Sequence, residues 1–160
     1  MPMQLALFEP DIPQNTGSLI RLAACMGTRL HIIEPCGFPF DDKRIRRAAM
    51  DYYDLADIVR HVSWKKFREQ KSGRLILLTT RAAQPYTEFT FAAEDILLLG
   101  RESSGVPDEV RRAADASVKI PIRREARSLN VALAASMVLG EGLRQTYHYP
   151  ALVAGSGAVK

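Results

Sequence analysis

Three short segments carry the residue types that could do chemistry, and the first is a glycine-rich loop, GRESSGVP, at residues 100–107. It follows an apolar run and precedes a predicted helix, which is where open α/β sheets bind ligands. Val106 and Pro107 replace the lysine and serine or threonine of a phosphate-binding loop, which argues against that chemistry. Glycines let a ligand approach the backbone closely, and Glu102 adds a charge. A plain strand-to-helix turn is the alternative interpretation.

The second segment, PQNTGSLIR at residues 13–21, places polar residues at the start of a predicted helix. Asn15 or Thr16 could simply cap that helix. Arg21 follows Asn15 by close to two helical turns. On an otherwise apolar helix, an arginine needs a partner or a route to solvent. Arg21 is therefore either salt-bridged or solvent-reaching, or it binds an anion.

The third segment, IPIRREARSLNVALAAS at residues 120–136, leads into the longest predicted helix. Ser128 and Asn130 stand just before this helix and could cap it. The helix is apolar on most faces and must be buried on several sides, which in a chain of this size suggests a subunit interface. Gly140 and Gly142 would permit close packing there.

The hydrophobic pattern alternates along the chain between strand and helix periods. Strands are predicted at 3–9, 29–35, 56–62, 74–80, 95–100 and 116–122, and helices at 15–27, 41–55, 64–70, 107–114 and 128–147. This alternation predicts a single α/β domain over residues 1–150, with a mostly parallel sheet flanked by helices. The small, glycine-rich tail at 151–160 is expected to be disordered.

Composition sets the class of protein: 160 residues, 47% hydrophobic and 25% charged, are typical of one globular domain. No apolar run reaches the roughly 18 residues of a membrane helix, so no membrane partner is expected. The first residues do not match a secretory signal, and we predict a cytoplasmic protein. Cys25 and Cys36 are interpreted as reduced thiols, and no metal site is expected.

The net charge is +4, and the basic residues crowd two segments. Each segment is either a solvated surface or a contact for an anionic partner. The basic residues of these segments are Lys43, Arg44, Arg46 and Arg47, and Arg123, Arg124 and Arg127.

Taken in order, PQNTGSLIR, LLLGRESSGVP and IPIRREARSLNVALAAS resemble the three motifs of the SpoU family of RNA 2′-O-methyltransferases. HIIEPCGFPFDDKRIRRAAMDYYDL, at 31–55, is similar to the short branch of that family that modifies the tRNA wobble position. The resemblance implies that residues 1–150 form a SpoU-type methyltransferase domain with a deep C-terminal trefoil knot of the SPOUT type. Such knots are rare exceptions among folds, and strand and helix patterns do not predict them.

The resemblance further implies that the cofactor is S-adenosylmethionine, held in a pocket made by the knot. It also implies a homodimer whose interface includes the first and last helices. The residues implied to bind the cofactor are Leu78, Thr79, Gly100, Arg101, Ile120, Pro121, Ile122, Ser128 and Leu129.

The implied reaction methylates the ribose 2′-hydroxyl of nucleotide 34, a cytidine or modified uridine, in the anticodon loop of leucine tRNAs. Arg21 is expected to be essential and to position phosphate and hydroxyl, since a guanidinium is not ordinarily deprotonated in a protein. Asn15 would support Arg21 and the ribose, while Glu102, Ser128 and Asn130 would orient the site. The two basic clusters would bind the anticodon stem-loop.

Two alternatives remain at this point. One is a 2′-O-methyltransferase for another tRNA position or for ribosomal RNA, and the other is a non-catalytic dimeric RNA-binding protein of the same fold. The short branch carries an aromatic residue, linked to tRNA binding, at the position that matches Gly140. Docking of tRNA on this chain is therefore expected to differ in detail.

Overall fold

The architecture comes from a computed structural model that describes residues 2–152. Most of the tail predicted to be disordered, residues 151–160, lies outside the described residues. Within residues 2–152, no helix is long and apolar enough to cross a membrane.

Six strands form one sheet in the order β3-β2-β1-β5-β4-β6, and every neighbouring pair is parallel. The central strands are continuous apolar runs buried on both faces, which is typical of parallel sheets covered by helices. The strands are β1 (Gln4–Phe8), β2 (Leu30–Ile33), β3 (Ile58–His61), β4 (Leu75–Leu78), β5 (Ile96–Leu99) and β6 (Ala116–Val118).

Over the described residues, four α-helices connect these strands, a fifth follows β6, and two short 3₁₀ helices, Met50–Leu55 and Tyr86–Glu88, lie in the connections. The predicted single α/β domain with a parallel sheet flanked by helices is thereby confirmed. The α-helices are α1 (Pro13–Met26), α2 (Lys43–Ala49), α3 (Trp64–Gln70), α4 (Asp108–Ala113) and α5 (Val131–Thr146).

Alternate residues of the strands divide the core into two layers. Leu5, Leu7 and Leu97 face the side covered by α1, α2 and α5, where Ile20 and Leu139 are fully packed. The opposite face carries α3 and α4, which are anchored by one buried aromatic and one buried valine, Phe67 and Val110.

Several predicted boundaries differ from the structure, and the differences are largest in three elements. The helix expected over 41–55 breaks at Met50, whose backbone has φ +55 and ψ −139 and cannot continue a helix. The strand expected over 116–122 ends at Val118, because Lys119 turns away to pair with Gln84 and Tyr86. The last helix starts at Val131, not at 128.

Two glycines allow close packing that a side chain at the same position would prevent. A Cβ on Gly17 would lie 2.5 Å from the Ile45 carbonyl oxygen, so α2 sits directly on α1 at this point. A Cβ on Gly142 would lie 2.0 Å from Met3 Sδ. The close packing expected at Gly142 therefore occurs within the chain.

Candidate active site

A cavity of about 540 Å³ opens at the carboxyl ends of β4 and β5. Its walls come from the loops that follow these strands, from the start of α1 and from the segment that leads into α5. The volume lies within the usual range for a small-molecule or cofactor site, and the position is the expected one for an open parallel sheet. All three segments singled out in the sequence reach this cavity.

The residues predicted to bind a cofactor line this cavity, with one exception. Pro121 is exposed and does not line it. The predicted residues that line the cavity are Leu78, Thr79, Gly100, Arg101, Ile120, Ile122, Ser128 and Leu129. Their contact with a cofactor stays a prediction.

The glycine-rich loop is a tight turn at the mouth of the cavity. Arg101 and Gly105 exchange two backbone hydrogen bonds of 2.9 Å. Gly105 has φ +68, and a Cβ on Gly100 would lie 2.8 Å from the Gly105 backbone. Both positions therefore require glycine, since a side chain would clash at Gly100 and strain the backbone at Gly105.

The starts of α1 and α5 meet at the cavity through two asparagines. The Asn130 side-chain amide donates a hydrogen bond to Asn15 Oδ1 at 3.0 Å, and both residues line the cavity. Asn130 also caps α5, since its Oδ1 accepts from the amides of Ala132 and Leu133. The alternative that Asn15 or Thr16 caps α1 is wrong: α1 already begins at Pro13, so the Asn15 side chain is available for this bridge.

Two acidic residues that sequence reasoning missed tie the loop after β1 to the glycine-rich loop. Glu9 forms an ion pair with Arg101, and Asp11 accepts a hydrogen bond from Ser103. The Asp11 backbone amide donates to Glu102 Oε2 at 3.2 Å. Their position just after a buried parallel strand, at the edge where such strands meet, was the available signal.

Glu102 and Asp11 are two neighbouring acids whose pKa values shift in opposite directions. Burial, followed by the hydrogen bond with Asp11, raises the pKa of Glu102 to about 6. The same hydrogen bond lowers the pKa of Asp11. Asp11 Oδ1 is buried and has no donor within the described residues when both acids are ionised. A proton on Glu102 would supply that donor, so the pair favours holding one proton in mildly acidic solution.

Arg21 lies outside the cavity, on the exposed side of α1. Its Nη1 donates to Met50 Sδ at 3.2 Å, and its guanidinium carbon lies 5.1 Å from the centre of the Tyr52 ring. Within residues 2–152 it forms no salt bridge with a carboxylate. Of the explanations that the sequence left open for Arg21, salt-bridging is therefore excluded over the described residues.

Both basic clusters are exposed. On α2, Arg44 is engaged by Asp42 at 2.8 Å, while the Arg46 guanidinium lies 4.4 Å from the centre of the Tyr53 ring. The second cluster occupies the segment between Ile122 and Ser128, which both line the cavity. Lys43, Arg47, Arg123, Arg124 and Arg127 are also exposed, so either cluster is accessible to an anionic partner.

Two of the histidines, which the sequence shows far apart, are joined in the core. His31 Nδ1 lies 2.9 Å from His61 Nε2, and His31 Nε2 lies 2.6 Å from Gln4 Oε1. Burial lowers the pKa of His31 to about 4, so the pair is neutral at physiological pH. Over the part of the chain that the structure describes, no group of three or more His, Cys, Asp or Glu could hold a metal ion.

Comparison with known proteins finds relatives that match almost the whole chain. The sequence profile described as the SpoU rRNA Methylase family matches residues 2–140. A protein of Beijerinckia indica named tRNA (cytidine(34)-2′-O)-methyltransferase is 58% identical over 144 residues, which cover 88% of this chain and 90% of that protein. A protein of the same name from Escherichia coli K12 is 40% identical over 94% of this chain and 98% of its own length.

Solved structures share the fold. One described as giving "structural insights into the 2-OH methylation of C/U34 on tRNA" superposes with a TM-score of 0.85 at 36% identity, over 89% of this chain and 95% of that chain. The SpoU methyltransferase AviRb from Streptomyces viridochromogenes, solved with AdoMet, gives a TM-score of 0.82 at 25% identity over 90% of this chain and 60% of its own. The order of the three motifs, the cavity they share and these matches together place this chain in the SpoU methylase family.

Proposed function

We propose that this chain is a methyltransferase that uses S-adenosylmethionine to methylate the ribose 2′-hydroxyl of nucleotide 34 in tRNA. The observation that carries the proposal is the convergence of three segments, distant in sequence, on one cavity. Relatives named for this reaction match almost the whole chain, at 58% and 40% identity. As a tRNA-modifying enzyme it would act in the cytoplasm.

The cavity suits S-adenosylmethionine. Leu78, Ile120, Ile122 and Leu129 offer apolar surface on which an adenine can lie, and the glycine-rich loop brings backbone polar groups to the same space. The homologous structure solved with AdoMet supports this assignment. When bound, the cofactor supplies a methyl group on a sulfonium, which is a good leaving group.

The protein's part in the reaction is mainly to hold the ribose in line with the methyl group. The bridged Asn15 and Asn130 lie at the cavity and would orient the ribose. Arg21 would bind the adjacent phosphate, because it is a cation that forms no salt bridge with a carboxylate over residues 2–152. Glu102 and Ser128 would complete the polar lining.

We also propose the trefoil knot. Strand β6 lies at the edge of the sheet, beside β4, whereas α5 packs against α1 and β5 near the centre. To connect β6 with α5, residues 119–130 must return across the carboxyl ends of β4 and β5. That path, next to the loops that line the cavity, supports the knotted arrangement of the family.

The proposed active form is a homodimer. Leu133 and Met137 lie four residues apart on α5 and form an exposed apolar stripe along the helix. Ile12, at the start of α1, is also exposed. Burial of this stripe against a second copy would explain why an otherwise well-packed helix leaves large apolar side chains in solvent.

Transfer RNA is favoured over ribosomal RNA as the substrate by the relatives that match almost the whole chain and are named for position 34 of tRNA. The structure concerned with C/U34 of tRNA is 36% identical to this chain, whereas the AdoMet-bound rRNA methyltransferase from Sinorhizobium meliloti is 26% identical. The exposed basic clusters on α2 and at 123–127 would then contact the anticodon stem-loop.

The test uses purified protein, radiolabelled S-adenosylmethionine and total tRNA from a bacterial strain that lacks the wobble enzyme. Nuclease mapping then locates the label. We expect label on the ribose of nucleotide 34 in leucine tRNAs. Label at another position would overturn the assigned substrate, and an absence of label on tRNA and ribosomal RNA, with cofactor bound, would overturn the assigned activity.

A further inference from the structure

Arg21 contacts uncharged partners, unlike several other arginines of this chain. Several other arginines form close salt bridges with carboxylates, such as Arg29 with Asp57 at 2.8 Å and Arg60 with Glu34 at 2.7 Å. Arg21 instead contacts a thioether and an aromatic ring, which belong to Met50 and Tyr52.

The packing of α2 on α1 brings the turn that contains Met50 and Tyr52 onto Arg21. Gly17 lies one helical turn before Arg21 on α1, and its missing side chain lets Ile45 and Ala48 of α2 approach it directly. α2 ends one residue before Met50, so the following turn passes over the next turn of α1. The packing of α2 on α1 at Gly17 therefore determines where Met50 and Tyr52 lie relative to Arg21.

The backbone at Met50, the residue that makes this contact, is strained. Its φ of +55 and ψ of −139 lie in a region that glycine adopts readily and side chains with a Cβ do not. The Met50 side chain is 55% exposed, so filling the core does not explain the strain. Strain of this kind is found at functional sites, where it holds a group in place.

The chemistry of the two contacts suits an arginine that must bind an anion. The face of an aromatic ring attracts a guanidinium and orients it without neutralising its charge. A thioether is a weak acceptor, which a phosphate oxygen can replace at little loss. A carboxylate at the same place would compete with the phosphate.

We propose that Tyr52 and Met50 are positioning residues for Arg21: they hold its guanidinium in a fixed, unneutralised state until an RNA phosphate takes the place of the Met50 sulfur. This proposal rests on the proposed function. It assigns a specific task to the turn that follows α2, a segment with no residue in the cavity lining.

The first test separates the ring of Tyr52 from its hydroxyl. With tRNA as substrate and saturating S-adenosylmethionine, we expect Tyr52→Leu to lower kcat by about tenfold. Tyr52→Phe keeps the ring and should restore kcat to near the wild-type value. The Kd for S-adenosylmethionine should be the same in all three proteins, because Tyr52 lies outside the cavity.

The second test uses the strain at Met50. Met50→Gly removes both the strain and the sulfur, so we expect a Tm at or above that of the wild type together with a lower kcat. Tyr147→Gly is the matched control, since Tyr147 also has a positive φ, of 59, and is 92% exposed. It should keep or raise Tm and leave kcat unchanged.

The outcomes separate the two proposals. If the wild-type protein methylates no RNA, the proposed function fails. If the wild type is active and both Tyr52→Leu and Met50→Gly retain its kcat, only the positioning role is overturned. Equal losses of kcat in Tyr52→Phe and Tyr52→Leu would also overturn the positioning role. If Tyr52→Leu does not fold, the kcat of Met50→Gly decides whether the positioning role stands.

Discussion

At the scale of single residues, Arg21 is the group on which the proposed reaction most depends. Arg21→Ala should lower methylation of tRNA by at least about a hundredfold, because the substrate phosphate and ribose lose their positioning contact. Binding of S-adenosylmethionine, measured by calorimetry, should be unchanged, since Arg21 does not line the cavity. Full activity in this variant would show that the assignment of Arg21 is wrong.

Glu102 gives a prediction about pH at the same scale. Its pKa is raised to about 6 in the folded protein, so the folded state binds this proton more tightly than the unfolded state does. The resulting stabilisation is present below the ordinary pKa near 4.5 and is lost as the pH rises through about 6.

Glu102→Gln carries no charge at any pH, and its amide can still donate to Asp11. The gain in Tm of this variant over the wild type should therefore be larger at pH 8 than at pH 5. Thermal unfolding of both proteins at the two pH values measures the difference. Equal gains at both values would argue against a carboxyl pair that holds one proton.

At the scale of elements, the bridge between α1 and α5 can be separated from the cap of α5. Asn130→Ala removes both, and we expect a loss of about 1 kcal/mol in the free energy of unfolding together with lower activity. Asn130→Ser keeps a capping oxygen but is too short to reach Asn15.

The serine variant should therefore be nearly as stable as the wild type and still show reduced kcat. Urea unfolding and initial rates on tRNA measure the two effects. A serine variant with full activity would mean that Asn130 serves only to begin the helix.

The strands and helices could be predicted from the sequence because each has a strong local signal. The apolar runs at β4 and β5, and the glycine that follows α1, are examples. The break at Met50 has no such signal, since methionine favours helices and the positive φ accompanies the packing of α2 on Gly17. Likewise, motif order indicated which residues belong to the site, but only the fold shows that Arg21 lies outside the cavity and that Asp11 contacts Glu102.

At the scale of the whole molecule, the exposed stripe on α5 predicts self-association. The wild-type protein should sediment at twice the mass of one chain. Met137→Glu places a charge within the stripe and should shift the protein toward the mass of a single chain, with little change in Tm because Met137 is 45% exposed. A wild-type protein that sediments as a monomer at micromolar concentration would contradict the proposed dimer.

The central claim is that this chain places a methyl group on the ribose of nucleotide 34. The most direct measurement is mass spectrometry of leucine tRNAs from a bacterial strain that lacks its own wobble enzyme and expresses this chain. We predict that nucleotide 34 gains the mass of one methyl group on its ribose with the wild-type chain and not with Arg21→Ala. An unmodified nucleotide 34 in cells that contain the folded wild-type protein would contradict the account.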